Sequence, residues 1–377
     1  MQLKNKVIYI LSQQPWGEMF ISKHHYAVEL ARLGNKVFYI NGPDQEGILK
    51  PGQVAITPTG IDGLACVTHR LFFPYFFKFK ARAVYDYLLR FHIRNIIKKT
   101  GTPDVVWSFD LSDTMPLRMF PAAAKKIYMP VDELNETTAL KAAQTADIIY
   151  SVTYEILDKF KSYAVPKVFL NHGVASQFLN NDLSAVSNGP IQVGLSGNFL
   201  RPDIDRPTLL NIIKQHPKVI FNFWGSIDHN SSNLVPYEDE AATNFINALR
   251  QLPNVKLEGQ VAPVKLAEEM KQMDCFLICY DIQKDQSGGT NYHKILEYLA
   301  TGKVVVSNNV TTYAHYPGMI EMTSNRNNNS ELPALFSKVI NNIGSYNALS
   351  KQQERVSFAE GFTYHNQLKR IEADLKA

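Results

Sequence analysis

Cysteine is scarce in this chain, which carries three in 377 residues: Cys66, Cys275 and Cys279. An odd, small number argues against a disulfide framework. Cys275 and Cys279 lie in the apolar run MDCFLICY, which predicts a buried strand. Residues four apart in a strand share a face but stand too far apart to form a disulfide. We therefore expect three reduced thiols, as is typical of a reducing compartment.

Long apolar runs are missing as well. No window approaches the ~18 apolar residues that a membrane-spanning helix needs. The apolar stretch near the N-terminus, Val7 to Leu11, is shorter than the ~7–15 residues of a signal-peptide core. We therefore expect the protein to stay in the cytoplasm.

An excess of one charge sign is also lacking, since the formal net charge is only +4. This balance gives no argument for a nucleic-acid partner, and we expect none. The apolar share of 45% and the charged share of 20% are typical of a folded globular protein. A chain of 377 residues fits two domains of ~180 residues each.

The first half alternates apolar runs with helical patterns. VIYIL (7–11) predicts a strand, Ser22 can cap the helix SKHHYAVELARLG, and KVFYIN (36–41) predicts the next strand. This βαβ unit is followed by further predicted strands at 104–109, 126–131, 147–152 and 167–173. Continuous apolar runs are typical of buried parallel strands. Residues 1–180 therefore predict a Rossmann-like α/β domain.

The second half repeats this organisation after a polar linker at 180–190. Predicted strands lie at 191–197, 219–225, 255–261, 275–280 and 304–308, and predicted helices at 207–215, 240–251, 263–273 and 291–301. We expect a second Rossmann-like domain over 190–355 and, within 356–377, a helix that crosses back to the first domain. Two doubly wound parallel sheets place a cleft between the carboxyl ends of their strands, where ligands bind beside helix N-termini.

The segment QSGGTNYHKILEYLATGKVVVSN, residues 286–308, carries the most informative chemistry. Gly288 and Gly289 precede a helix that Thr290 or Asn291 can cap. Backbone amides at such a helix start suit a diphosphate. Lys294 would add a cation, and Glu297, one turn on, could accept hydrogen bonds from a ribose diol. From spacing alone, a helix with a solvated polar face explains the pattern equally well.

The order of residues in this segment resembles the donor-binding signature of GT-B glycosyltransferases. The match consists of Asn291, Lys294, Glu297, Gly302 and Lys303, followed by VVVS. Stretches resembling the same family in the same order lie at 22–41, 145–153, 168–178, 193–213, 257–280 and 358–375. The chain is most similar to the family-four-like group, which includes bacterial teichuronic-acid and exopolysaccharide transferases.

The resemblance implies roles for individual donor-side residues. Glu297 would hold the donor ribose, and Lys294 with the amides of 288–291 would meet the diphosphate or the donor sugar. Beyond Gly197, at the end of the first strand of the donor domain, Arg201 and Arg206 would neutralise the leaving diphosphate. Strand ends at Trp224–Ser226 and Gln260–Val261 would contact the base.

One position departs from the family pattern. Many retaining members carry a second glutamate eight residues before the one that binds the ribose, and here that position is Gly289. The stereochemical outcome therefore stays open. No cluster of His, Cys and Asp has metal-ligand spacing, and GT-B enzymes generally need no catalytic metal, because cations and helix N-termini stabilise the leaving group. We expect neither a metal nor a cofactor, with a nucleotide diphosphate sugar as donor substrate.

The acceptor side offers candidates for the group that takes the proton of an acceptor hydroxyl. Asp110 follows the strand at 104–109 and Asp132 follows the strand at 126–131, so both lie at carboxyl ends. Further candidates are His24 and His25 in the first helix, Glu18 before that helix, and Glu133, which follows Asp132. Of these four we select His24 as the third candidate. A capping or structural role is the alternative for each.

Residues 69–99 combine cationic and aromatic side chains. The segment carries eight lysines or arginines, the single acid Asp86, and a tight aromatic run from Phe72 to Phe79. Such a mixture suits an anionic headgroup boundary, or an anionic acceptor. The alternative is that the aromatic side chains are core and the basic ones an ordinary solvated helix face.

Together these features predict an enzyme of the hexosyltransferase type. It would move a sugar from a nucleotide diphosphate sugar to a glycan or lipid-linked acceptor in cell-surface polysaccharide synthesis. Two alternatives stay open on the sequence. One is a nucleotide-sugar 2-epimerase of the same fold, and the other is a non-catalytic nucleotide-sugar-binding protein.

Overall fold

The computed structural model describes residues 2–17, 20–132, 136–183, 189–228, 240–285 and 287–376. The chain divides into two compact units, one formed by Met1–Asn171 with Tyr364–Ala377 and the other by His172–Thr363. The division therefore lies before the expected linker at 180–190. Val174 explains the difference: its amide donates to the Phe362 carbonyl at 3.0 Å, and its side chain lies in the core of the second unit.

The first unit is built on an eight-stranded sheet with the order β3-β4-β2-β1-β5-β6-β7-β8. All neighbouring strands are parallel except β3, which is antiparallel to β4. The strands are β1 Val7–Leu11, β2 Lys36–Ile40, β3 Val54–Pro58, β4 Leu64–His69, β5 Val105–Ser108, β6 Lys125–Tyr128, β7 Ile148–Ser151 and β8 Lys167–Phe169. The strand order reverses between β1 and β5, which makes this the switch point of the sheet.

Apolar clusters cover both faces of this sheet, because its strands are apolar on both sides. The helices of this part of the chain are α1 Ser22–Arg32, α2 Phe77–Lys80, α3 Arg82–Thr100, α4 Glu136–Ala142 and α5 Tyr154–Asp158, with a short 3-10 helix at Leu117–Met119. The expected cap of α1 was wrong by one residue, since Ile21 occupies that position.

The second unit has a six-stranded parallel sheet with the order β11-β10-β9-β12-β13-β14. Its strands are β9 Gln192–Ser196, β10 Ile220–Trp224, β11 Val255–Gly259, β12 Cys275–Ile278, β13 Val304–Ser307 and β14 Glu321–Met322. Its helices are α6 Arg206–Gln215, α7 Glu240–Arg250, α8 Pro263–Met270, α9 Lys294–Ala300, α10 Leu332–Asn341, α11 Ile343–Tyr346 and α12 Leu349–Glu360, with 3-10 helices at Ser176–Phe178 and Thr311–His315. The strand order reverses between β9 and β12, so ligands are expected beyond the carboxyl ends of these two strands.

The C-terminal helix α13, Tyr364–Asp374, belongs to the first unit although α12 belongs to the second. Its apolar stripe explains this placement, because Tyr364, Leu368 and Ile371 are buried in one cluster with Tyr26 of α1. The three cysteines are buried free thiols.

Candidate functional site

Three glycines end the neighbouring strands β9, β10 and β11 of the second unit. The Gly197 amide donates to the Trp224 carbonyl at 2.8 Å, and the Gly225 amide donates to the Gly259 carbonyl at 2.7 Å. Gly225 has φ +132°, and a Cβ atom placed on it would lie 1.7 Å from the Gly197 oxygen. No residue with a side chain fits there, so the strand ends are bare backbone that a ligand can approach closely.

Lys294 lies directly against one of these bare ends. A Cβ atom on Gly197 would come within 2.7 Å of the Lys294 Nζ. The ammonium donates to the Tyr280 hydroxyl at 3.1 Å and lies 5.8 Å from the centroid of that ring. Gly197 follows β9 and Tyr280 follows β12, so Lys294 lies at the switch point of the sheet.

Glu297 lies one turn after Lys294 in α9 and is half-buried. Desolvation by the surrounding protein raises the pKa of its carboxyl group to about 7, and the Lys294 ammonium partly opposes this rise. Among the described residues, none forms a hydrogen bond with the Glu297 carboxylate. Hydrogen-bond donors from a ligand would stabilise the ionised form, which the protein alone leaves desolvated.

Arg201 supplies a second cation in this neighbourhood. Its guanidinium binds the buried Asp203 through two contacts, one of which joins Nε to Oδ1 at 2.9 Å, and this pairing raises the pKa of Arg201. The pKa of His293 lies well below its usual range, because the protein desolvates the ring and because Lys294, His172 and Arg201 add positive charge. Lys294 and Arg201 therefore lie near the same imidazole, and we call Gly197, Arg201, Tyr280, His293, Lys294 and Glu297 the donor cluster.

Arg206 does not fit the role expected from the resemblance. Its guanidinium donates to the carbonyls of Leu200 at 3.2 Å and Arg201 at 3.1 Å, and it stacks over the Phe245 ring. The first residue of α6 therefore holds the loop that carries Arg201. Of the expected basic pair, Arg201 is the member that belongs to the donor cluster.

The glycine-rich loop before α9 also corrects an expectation, because its amides are bound within the loop. Asp285 accepts hydrogen bonds from the Ser287 amide at 3.1 Å, the Gly289 amide at 3.0 Å and the Tyr292 hydroxyl at 2.8 Å. The Gly288 amide donates to the Asp285 carbonyl. These amides are not free donors for a diphosphate in this conformation.

The residues expected to cap α9 lie outside the helix. The Thr290 amide and hydroxyl both donate to the Ser287 carbonyl, and Asn291 is buried at the end of the same loop. The helix begins at Lys294, after His293, without a side-chain cap. Local hydrogen bonding of short polar side chains competes with helix formation here, so the predicted start was too early.

The backbone at Gly289 disfavours a side chain at the position where the resemblance would place a second glutamate. Its φ is +69°, and a Cβ atom would lie 3.0 Å from the Asn309 carbonyl oxygen. A side chain at this position would be strained both by its backbone conformation and by this contact.

Asp110, expected as a proton acceptor, has a structural role in the first unit. Its carboxylate accepts hydrogen bonds from the amides of Ser112 at 2.8 Å, Thr114 at 2.7 Å and Met115 at 2.9 Å, and from the Ser112 hydroxyl. The side chain is buried. Its lone pairs are occupied in folding the loop after β5, which does not suit a catalytic base.

His24 also has a structural role. Its ring is buried, Nδ1 accepts from the Ile21 amide at 3.2 Å, and Nε2 lies 3.2 Å from the Pro15 carbonyl. Burial lowers the pKa of this imidazole. His25, stacked on the Tyr364 ring, has its pKa lowered to about 4, first by desolvation.

Asp132 keeps an exposed carboxylate beyond β6. It lies near Lys23, a buried residue in the first turn of α1 that sequence reasoning missed. Burial lowers the pKa of the Lys23 ammonium, while the carboxylates of Asp132 and Asp110 raise it. Asp132 thus stays a candidate proton acceptor, and two further candidates, Glu18 and Glu133, lie outside the described residues.

Sequence reasoning also missed Tyr280, His293 and Asp285. Asp285 had a usable signal, because an Asp two residues before a Ser and four before a Gly is typical of a side chain that folds its own loop. Tyr280 and His293 had none beyond their places at a strand end and beside Lys294. In the described part of the chain, no three His, Cys, Asp or Glu side chains converge as metal ligands.

No family model matches the chain, and no curated protein matches it in sequence. Solved structures match over nearly its whole length. HepE of Anabaena, in complex with UDP and glucose, aligns with a TM-score of 0.64 at 14% identity over 99% of both chains. Sucrose-phosphate synthase from Thermosynechococcus elongatus aligns with a TM-score of 0.65 at 12% identity over 98% of both chains.

The lipopolysaccharide outer core galactosyltransferase WaaB, in its apo form, aligns with a TM-score of 0.60 at 12% identity over 99% of this chain and 100% of its own. Structural matches at such low sequence identity establish the fold alone. With two doubly wound units, each built on a largely parallel sheet, the chain has the GT-B fold that its motifs predicted.

Proposed function

We propose that this protein is a glycosyltransferase that moves a sugar from a nucleotide diphosphate sugar to a hydroxyl of a glycan or lipid-linked acceptor in cell-surface polysaccharide synthesis. The observation that carries the proposal is the donor cluster. Lys294 packs against the bare Gly197 at the switch point of a parallel sheet. Glu297, whose carboxylate has no hydrogen-bond partner among the described residues, lies one turn further along the same helix. This is the place where such sheets bind nucleotides.

Each group of the donor cluster suits one part of the donor. The Glu297 carboxylate would accept hydrogen bonds from the two ribose hydroxyls, which favours its ionised form. Lys294 and Arg201 would stabilise the negative charge that develops on the leaving diphosphate. HepE was solved with UDP and glucose, and this supports a uridine nucleotide as the first donor to test.

The acceptor would be activated in the first unit. We assign this role to Asp132, because its carboxylate is exposed at the carboxyl end of β6 whereas that of Asp110 is fully hydrogen-bonded. A carboxylate within hydrogen-bond reach of the acceptor hydroxyl can take its proton. Whether the configuration at the sugar is retained or inverted follows from measuring the anomer of the product.

A screen for donor hydrolysis tests the proposal directly. The protein is incubated without acceptor with UDP-, GDP- and ADP-sugars, and the released nucleotide is measured. Slow release from one donor, together with binding of the matching nucleotide, is the expected result. Conversion of the donor to its 2-epimer would indicate an epimerase, and absence of both release and nucleotide binding would contradict the proposal.

Turnover should survive chelation. Lys294 and Arg201 lie where the leaving diphosphate would form, and cationic side chains can replace a metal in stabilising it. We expect release of the nucleotide at an unchanged rate, within about twofold, after treatment with EDTA. A complete loss that Mg²⁺ or Mn²⁺ reverses would show that an ion takes part.

We further propose that α3 brings the enzyme to the inner face of an anionic membrane. No helix in the described ranges is long and apolar enough to cross a membrane. The buried face of α3 includes Tyr85, Leu89 and Ile96. Its opposite face carries, at alternating three- and four-residue spacing, the exposed stripe Val84, Tyr87, Phe91, Arg94 and Lys98.

The exposed aromatic residues are concentrated in this region. Of the eleven large apolar side chains exposed on the described surface, six lie between Phe72 and Phe91. The core therefore accounts for only part of the aromatic run. Exposed bases stand beside them at Lys80, Arg90, Arg94 and Lys98, and each contributes about 1 kcal/mol near an anionic surface.

Sedimentation with liposomes tests the membrane surface. We expect binding to vesicles that contain anionic lipid at low salt, weaker binding at high salt, and little binding to neutral vesicles. Phe91→Ser should reduce the bound fraction several-fold, and Leu349→Ser, at an exposed position of α12, should not. Equal, negligible sedimentation with both vesicle types at low salt would contradict this surface and leave the transferase proposal standing.

A further inference from the structure

The first unit contains a recess of about 1060 Å³ at its own switch point. It is lined by Gln13, which follows β1, by Leu111 and Ser112, which follow β5, and by side chains of α2, α3 and α4. The sheet order reverses between β1 and β5, so the recess lies where a parallel sheet of this kind receives a ligand. None of the donor cluster lines it.

The floor of the recess is a neutral network of two arginines and two aspartates. Asp113 is buried and binds Arg82 at 2.8 Å and Arg118 at 3.0 Å. Asp86 binds the same two arginines at 2.8 and 3.0 Å. The loop that Asp110 folds places Asp113 between the two arginines, so the floor is formed by the protein alone.

Two lysines add positive charge that the floor does not neutralise. Lys78 donates to the Tyr75 hydroxyl at 3.1 Å and to the Thr114 hydroxyl at 2.7 Å, and both acceptors are neutral. Lys141 lies exposed on α4. Among the described residues no carboxylate pairs with either ammonium. Four cations and two acids line the recess, which leaves a net charge of two positive.

The rim of the recess is aromatic. Phe79 lines it while 69% of its surface stays exposed, and Tyr75 stacks edge-on against Phe79. Phe76, the residue before α2, is also exposed. A ligand that matches both the two lysines and the aromatic rim carries a compact double negative charge next to an apolar or sugar portion.

We propose that this recess binds a phosphoryl or diphosphoryl group of the acceptor, held by Lys78 and Lys141 above the arginine–aspartate floor. The inference rests on the proposed function in naming the ligand an acceptor, but the phosphate site itself does not depend on the donor cluster. The phosphate can belong to a lipid-linked acceptor or to a water-soluble sugar phosphate. Both share the charge that the lysines recognise, and the aromatic rim favours the lipid.

Calorimetric titration of the full-length protein tests the recess with three probes: inorganic pyrophosphate, glucose 6-phosphate, and farnesyl diphosphate below its aggregation concentration. Each is titrated also into Lys294→Ala, so that a contribution of the donor cluster to probe binding can be recognised. We expect Lys78→Gln and Lys141→Gln each to weaken binding about 10-fold, the effect of losing one charge-assisted hydrogen bond. Lys50→Gln, an exposed lysine of the same unit outside the recess, should change nothing.

The outcomes separate the sources of phosphate and the two proposals. Tighter binding of farnesyl diphosphate than of pyrophosphate assigns a lipid-linked acceptor, and tighter binding of glucose 6-phosphate assigns a soluble one. The lysine variants should still bind UDP as the wild type does. Probe binding without UDP binding would overturn the donor assignment alone. No probe binding, or equal affinities in the wild type and in the Lys78→Gln/Lys141→Gln double variant, would overturn the recess.

Discussion

Glu297→Ala is expected to weaken nucleotide binding about 30–150-fold while the protein stays folded. The carboxylate has no hydrogen-bond partner among the described residues, and desolvation raises its pKa, so both of its oxygens are available to the ribose hydroxyls. Losing hydrogen bonds to a charged acceptor costs on the order of 2–3 kcal/mol, which gives this range. Calorimetry with UDP measures the effect, and circular dichroism checks the fold.

The pH dependence of the same titration gives an independent check. The pKa of Glu297 is about 7 in the free protein, and the ionised carboxylate is the stronger acceptor, so UDP affinity should rise between pH 6 and pH 8. Glu297→Gln should remove this rise.

A carboxyl group whose folded pKa is raised contributes stability below about pH 4.5 that is lost as the pH rises through about 7. The Gln variant should therefore be at least as stable as wild type at pH 8. Unchanged UDP affinity in Glu297→Ala would show that the donor site lies elsewhere.

The sequence predicted the fold well because buried parallel strands leave a direct signal. VIYIL and VVVS are apolar on both sides, and the strands lie at Val7–Leu11 and Val304–Ser307. The first unit's β3 was missed because it is an edge strand, mostly exposed along Val54–Pro58, and such strands lack that signal. The resemblance implied that Gly197 and Lys294 both belong to the donor site, and in the structure these two residues lie together.

Three side chains share a feature that the sequence does not show. Asp110, Asp285 and His24 all bind backbone groups close to them in the chain. A carboxylate at a strand end looks the same in sequence whether it faces a ligand or folds the loop, because only the loop conformation decides which donors reach it. The acceptor side was hardest to predict for this reason. Asp110, a candidate proton acceptor on the sequence, folds the loop that carries Asp113 of the recess floor.

Lys294→Ala is expected to lower the turnover of donor hydrolysis about 100–1000-fold. Removing one group that stabilises charge in the transition state typically has this effect. The Lys294 ammonium is held against Gly197 and hydrogen-bonded to Tyr280, so its position is fixed before the leaving group forms. Tyr280→Phe keeps the ammonium and removes only that hydrogen bond, so it should cost less than 10-fold.

Lys294→Ala should also change the titration of Glu297. The Lys294 ammonium lowers the pKa of Glu297, so its removal should raise that pKa further and move the rise of UDP affinity to higher pH. A residue that served only to fold α9 would lower stability without shifting this profile. Turnover within about threefold of wild type, or a pH profile that does not move, would contradict the role of Lys294 at the diphosphate. A loss of turnover together with the upward shift would place both residues on one bound donor.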